Sequence, residues 1–259
     1  MSTVTTEDRG AVRHVILNRP EKRNAMNGEL VQAVGVALKQ AANDGAVRVV
    51  VIRGAGAMFS AGMDVAELGR LSEMQEHLRA FRRECIDAWN LAEEMPKPTI
   101  AQIHGGAIGG AMELALACDL RVMADDAVMC LPETRIGLIP DVGGSSRLPA
   151  IVGLGRAKEM IMTSKVVGAE EAERIGLANR VAPAGELDAA VERLCAELLA
   201  CAPTAVGLAK RVMDASARPA LAATLEQEVT AQQVCAASED FAEGARALSE
   251  KRQPEFSGS

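Results

Sequence analysis

Residues 96–121 read PKPTIAQIHGGAIGGAMELALACDLR, and this stretch decides the fold class. The prolines at 96 and 98 stop the helix that precedes them, because a residue ahead of proline is driven out of the helical region. Thr99–Ile103 is a short apolar run that reads as a buried strand. His104–Gly110 is a glycine loop that opens straight into the helical segment AMELALAC, and DLRVMA returns as a strand. Strand, glycine loop, helix and strand make an α/β unit.

The alternation continues outwards. Toward the N-terminus the pattern predicts a strand over 11–17, then a turn, then a helix over 28–43 capped by Asn27, with Leu30, Val31, Val34 and Leu38 on one face. A β-branched strand over 47–53 leads into the glycine-rich loop GAGAMFSAGMD, and helix returns from about 72 to 94. Toward the C-terminus comes a third loop, LPETRIGLIPDVGGSSRLP. Beyond about residue 153 the chain reads as Ala-rich helices over 154–163, 169–176, 186–200, 203–216 and 220–249. An α/β core with a helical tail is the predicted architecture. The tail helices are apolar on more than one face, which points to packing on the core or on a neighbouring subunit.

Composition narrows the function. The 259 residues are 49% hydrophobic and 24% charged, which suits a globular chain with a sizeable core. Aromatic residues are 2%, and the net charge is −7. Neither suits nucleic-acid binding, which needs basic patches or stacking platforms. The N-terminal MSTVTTEDRG lacks a signal-peptide apolar run, and no 18-residue apolar stretch could span a bilayer, so a cytoplasmic protein is expected. Cys85, Cys118, Cys130, Cys195, Cys201 and Cys235 form no C-x-x-C pair and read as reduced, mostly buried thiols. His14, His77 and His104 are scattered, so no metal site is expected. Gly143–Arg147 is not a G-x-S-x-G elbow and no His follows it, which excludes a serine hydrolase triad.

Each loop at a strand end carries an unusual group. Phe59–Asp64 puts small residues where backbone must approach something closely. Gly105–Gly110 runs into a helix whose first N–H groups are unpaired and suit a developing oxyanion. Glu113 stands among apolar residues and is costly to bury alone. It is a functional acid, a solvent-facing residue or a structural partner of Arg121. Glu133, taken alone, reads as a loop acid. Two carboxylates converging on a cleft would separate into acid and base roles.

The ordered motifs N-R-P-x-x-x-N-A-M, V-R-V-V-V-I-R-G, F-S-A-G-M-D, the 96–121 stretch, P-E-T-R-I-G-L-I-P-D-V-G-G-S-S-R-L-P and A-x-R-I-G-L-A-N-R-V resemble the crotonase (enoyl-CoA hydratase/isomerase) superfamily from about residue 12 to Arg252. The resemblance implies a spiral of ββα units over 1–195 and a helical C-terminal region over 196–259 that builds trimers, often paired into hexamers. It implies an acyl-CoA thioester as substrate and no cofactor. The oxyanion donors would be the N–H groups of Met63 and Gly110. Ala61, Gly62, Asp64, Val65 and Ala66 would line the acyl thioester, with Ala25 and Gly109 also at the substrate. Lys22, Arg23 and Lys251 would lie near the adenosine phosphates. Glu113 would deprotonate water and Glu133 would exchange the α-proton.

One departure concerns Asp141. Many hydratases of the family have Gly there, whereas dienoyl-CoA isomerases carry an acid at this point, usually with Asp where this chain has Glu113. The implied activity is therefore enoyl-CoA hydration, with enoyl- or dienoyl-CoA isomerisation as the alternative and a non-catalytic acyl-CoA binder as a further one. Alicyclic acyl groups are another substrate option. Asp141 itself is expected to cap the Val142-Gly143-Gly144 turn, the alternative being a third acid in the site.

Overall fold

A computed structural model describes residues 2–67 and 75–259. Two sheets organise the core. The larger has the order β1-β2-β3-β4-β6-β9, built from Val4–Arg9, Val12–Leu17, Val49–Gly54, Thr99–Ile103, Leu120–Ala124 and Arg180–Ala182. β1 and β2 pair antiparallel; every other neighbour in this sheet is parallel. The smaller sheet has the order β5-β7-β8, from Gly106–Ile108, Val128–Cys130 and Val167–Gly168.

The chain alternates between the sheets. β4 enters the large sheet, β5 the small one, the helix Gly110–Ala117 follows, and β6 and β7 repeat the step. This alternation is the repeating ββα step that the resemblance implies. All five residues of β4 are buried, as are Val49–Ile52 of β3, which is why these strands read as unbroken apolar runs. The helix 110–117 is buried all round, Glu113 included.

Asn27 caps the helix Gly28–Asn43 as expected, accepting the Leu30 N–H. The helix expected from 72 is described from Gln75 to Glu94, and its first expected residues lie outside the described residues. Three differences from the sequence reading have physical causes. β1 (VTTEDR) has one buried residue and no apolar alternation, so its extended state comes from pairing with β2. β5 lies inside the glycine loop, where pairing with β7 supplies order that the residues themselves do not. The expected helix over 220–249 is two, Leu221–Ala236 and Glu239–Glu250. Ser238 breaks it by accepting the Phe241 N–H, with Glu239 and Asp240 in the new first turn. That break turns the last helix onto the 3-10 turn Glu133–Ile136, where a Cβ on Gly244 would strike Ile136. Among the described residues, no helix is long and apolar enough to cross a membrane.

Candidate active site

The loop after β3 is held by one buried asparagine. Asn24 Nδ2 donates to the carbonyls of Ala55, Met58 and Phe59, at 2.8, 2.9 and 3.1 Å. Ser60 Oγ donates to the Asn24 carbonyl and accepts the Gly62 N–H. The Met26 N–H donates to Gly62 O at 2.7 Å, and the Asp64 N–H to Met26 O at 2.9 Å. In this parallel bridge the N–H of Met63 is skipped and, among the described residues, finds no acceptor. Gly110 opens its helix, so its N–H has no intrahelical partner either. Both residues line one cavity of about 340 Å³.

Two glycines make that approach possible. Gly62 sits at φ 84°, and a Cβ on it would run into the Ile108 carbonyl. Gly109 sits at φ 56°, and a Cβ there would come within 2.7 Å of Glu133 Oε1.

The two candidate acids meet in this cavity. Glu113 is 2% exposed. Its Oε1 accepts the Val142 N–H at 2.9 Å and the Gly144 N–H at 2.8 Å. Arg121 is not its partner, since that guanidinium donates to the carbonyls of Leu177, Ala115 and Cys118. Glu133 comes from the 3-10 turn after β7, and its Oε2 is shut off from solvent with no hydrogen-bond partner among the described residues. Burial raises the Glu113 pKa well above the usual carboxylate range, and the charges of Glu133, Asp141 and Glu228 raise it further. Glu133 is pushed up to about 8, by burial first and by Asp141. The two carboxyls therefore titrate as a coupled pair.

Asp141 is placed differently from the expected turn cap. The N–H groups of Val142 and Gly144 go to Glu113, and that of Gly143 goes to Glu228 at 2.8 Å. Asp141 instead turns into the cavity, 3% exposed, and forms an ion pair with Arg82 Nε. A buried guanidinium attracts it more strongly than a turn whose N–H groups are already taken. Burial lifts Asp141 to about 6 while Arg82 holds it down. Glu228 also accepts the N–H and Oγ–H of Ser146, so two buried glutamates together pin residues 142–146.

Of the other residues singled out in the sequence, Ala61, Gly62, Val65 and Gly109 line the cavity. Asp64 and Ala66 do not: the Asp64 carboxylate pairs with Arg19 at 3.1 Å and accepts the Ala66 N–H. Lys22 and Arg23 are exposed on the turn that the Ala61 N–H bonds back to, through the Arg23 carbonyl. Ala25 is tied to the same turn through its N–H, which donates to Lys22 O. Lys251 is exposed at the end of the last helix, one turn beyond the cavity-lining Leu248.

Arg82, Trp89, Asn24, Ser60 and Glu228 escaped the sequence reading. Arg82 carried a signal: it interrupts the apolar stripe of helix 75–94, three and seven residues before Cys85 and Trp89. A larger cavity of about 470 Å³ lies near the C-terminal helices. Among its charges, Lys210 pairs with Asp119 at 2.8 Å and Arg218 with Glu93 at 2.8 Å, while Arg121 donates to backbone carbonyls.

Two N–H groups that find no acceptor among the described residues, in residues lining one cavity with two acids, define a class that comparison with known proteins makes specific. The profile of the family described as enoyl-CoA hydratase/isomerase matches residues 7–259. A putative enoyl-CoA hydratase/isomerase, YngF, of Bacillus subtilis is 37% identical over 247 residues, covering 94% of each chain. A crotonyl-CoA hydratase of Syntrophomonas wolfei is 36% identical, covering 93% of this chain and 92% of its own. Among solved structures, a carnitinyl-CoA hydratase from Mycobacterium avium superposes with a TM-score of 0.89 at 34% identity over the whole of both chains. An enoyl-CoA hydratase from Mycobacterium avium subsp. paratuberculosis K-10 does so at 0.89 and 31% identity, covering 98% of each. The chain belongs to the enoyl-CoA hydratase/isomerase family of the crotonase superfamily.

Proposed function

We propose that this protein is an enoyl-CoA hydratase, adding water across the 2,3 double bond of a 2-enoyl-CoA. The observation that carries this reading is that Glu113, Glu133, Met63 and Gly110 line one cavity, the N–H groups of the last two finding no acceptor among the described residues. The thioester carbonyl would accept from both N–H groups. These donors are fixed before charge develops on that oxygen, and losing one of them costs about 3–4 kcal/mol of transition-state stabilisation.

The acids divide their roles by their surroundings. Burial raises the Glu113 pKa, but with the proton on Glu133 the largest like-charge repulsion on Glu113 is removed, and two backbone donors on Oε1 favour negative charge there and leave Oε2 for a water molecule. Glu133 has no such donors on its buried Oε2 and holds the proton at neutral pH. Glu113 takes a proton from water as the oxygen bonds to C3, the enolate forms against the two N–H groups, and Glu133 delivers its proton to C2. The net change is one water gained, and transfer of a proton from Glu113 to Glu133 resets the pair. The reaction needs no group beyond the substrate's own CoA.

A second reading, double-bond isomerisation, has Asp141 in its favour, a third acid in the same cavity. A panel of 2-enoyl- and 3,5-dienoyl-CoA thioesters separates the two. Loss of the enoyl absorbance with gain of water supports hydration, whereas dienoyl turnover at constant mass supports isomerisation. The C-terminal region from about residue 196 is proposed as a trimerisation surface. Leu208, Val212 and Met213 on the helix Pro203–Ala217 and Val234 on Leu221–Ala236 are large apolar side chains left exposed on the single chain.

A further inference from the structure

The wall of the cavity formed by helix 75–94 is polar where an alkyl chain would want carbon. That helix presents Arg82, Cys85 and Trp89 to the cavity, and Asp141 joins them from its loop. Trp89 is 0% exposed, yet its Nε1–H meets no acceptor among the described residues. Arg82 Nε and Asp141 Oδ2 face each other as an ion pair, but neither atom completes an aligned hydrogen bond. A donor buried without a partner is destabilising, and an all-hydrocarbon acyl group would leave the Trp89 N–H without an acceptor. Much of the remaining wall is apolar, including Met26, Ile108, Ile136 and Leu138. The polar groups are therefore a localised feature.

Building on the acyl-CoA reading above, we propose that the cavity selects acyl groups that carry a neutral oxygen function, a hydroxyl or keto group, where the chain reaches Trp89 and the Arg82–Asp141 pair. The indole N–H donates to that oxygen, and a hydroxyl can in turn donate to Asp141 Oδ2. A carboxylate at this position is disfavoured. Glu113, Glu133 and Asp141 already crowd the cavity, and Arg82 is the buried guanidinium among its lining residues. A further negative charge there would meet these carboxyls while Arg82 is already engaged by Asp141, and Arg135, the other guanidinium of the lining, is exposed and donates to the Thr163 carbonyl.

The test uses saturated acyl-CoA thioesters, which cannot be hydrated, so binding is read apart from turnover. Matched ligands of each short chain length end in a methyl, a hydroxyl, a keto group or a carboxylate, and calorimetry gives their Kd values. The wild-type protein should bind the best hydroxyl or keto ligand roughly three- to tenfold tighter than its methyl match, as one neutral hydrogen bond supplies. Trp89→Phe should shrink that ratio toward one. Equal or weaker binding of every oxygenated ligand by the wild type overturns the proposal without any variant. So does tightest binding of the carboxylate ligand, or an unchanged ratio in a folded Trp89→Phe protein. Failure of every thioester to bind, the methyl-ended ones included, refutes the acyl-CoA reading itself and this proposal with it.

Discussion

Replacing Glu113 by Gln isolates the proposed base with little disturbance of the fold. The amide oxygen can still accept the Val142 and Gly144 N–H groups that now bond Oε1 at 2.9 and 2.8 Å, so the 142–144 turn keeps its anchor. The amide NH₂ then takes the place of Oε2 and cannot remove a proton from water. General base help of this kind is worth roughly 10²–10⁴-fold, or about 3–5 kcal/mol at 1.36 kcal/mol per decade. The expected result is a kcat lower by at least about 10², with the Kd for a saturated acyl-CoA little changed. Stopped assays following the enoyl absorbance, with calorimetry for binding and far-ultraviolet circular dichroism for fold, separate these effects. A folded Glu113→Gln protein with near-wild-type kcat on the best substrate would refute the assignment of Glu113 as base.

Four further outcomes are expected. Gly110→Pro removes one proposed oxyanion N–H and should abolish turnover; a rate near wild type would unseat that donor. Glu133 has a folded pKa raised to about 8, so its stability penalty grows as pH rises from the unfolded value toward 8. Glu133→Gln should therefore raise Tm at pH 8 and lose that advantage near pH 4, and the opposite trend in thermal melts would contradict the buried, protonated acid. The same residue should make kcat fall above about pH 8 as its proton is lost, and a rate still rising there would deny it the donor role. Arg82→Met should destabilise by about 3–5 kcal/mol by leaving Asp141 unpaired, with Arg82→Met/Asp141→Leu regaining most of the loss in denaturant titrations; additive losses would mean the pair is not coupled.

Much of this site was legible because its chemistry depends on local sequence. The glycine loop running into a helix at Gly110 and the charged Glu113 within an apolar segment both stand in one continuous stretch. The strands β3 and β4 were legible for the same reason, as short runs buried on both faces. What escaped depends on contacts between distant segments. β1 and β5 are strands by virtue of their partners, β2 and β7. Asp141 looked like a turn cap because the sequence does not show that Glu113, 28 residues earlier, and Glu228, 87 residues later, already take the N–H groups of that turn. Arg82 and Trp89 matter only because helix 75–94 packs one face against the cavity. The break at Ser238 was locally readable, since a serine followed by two acids is a helix start, and the Ala-rich run around it masked the signal.

Hydration and isomerisation differ by one water, and heavy-oxygen water makes that difference countable. The protein is incubated with a 2-enoyl-CoA in such water, and the thioester product is weighed by mass spectrometry alongside Glu113→Gln and Glu133→Gln controls. The expected product carries one labelled water, forms as the enoyl absorbance disappears, and is reduced to a small fraction in both controls. A product of unchanged mass, or a saturated complex that leaves the enoyl group intact, would contradict the hydratase account.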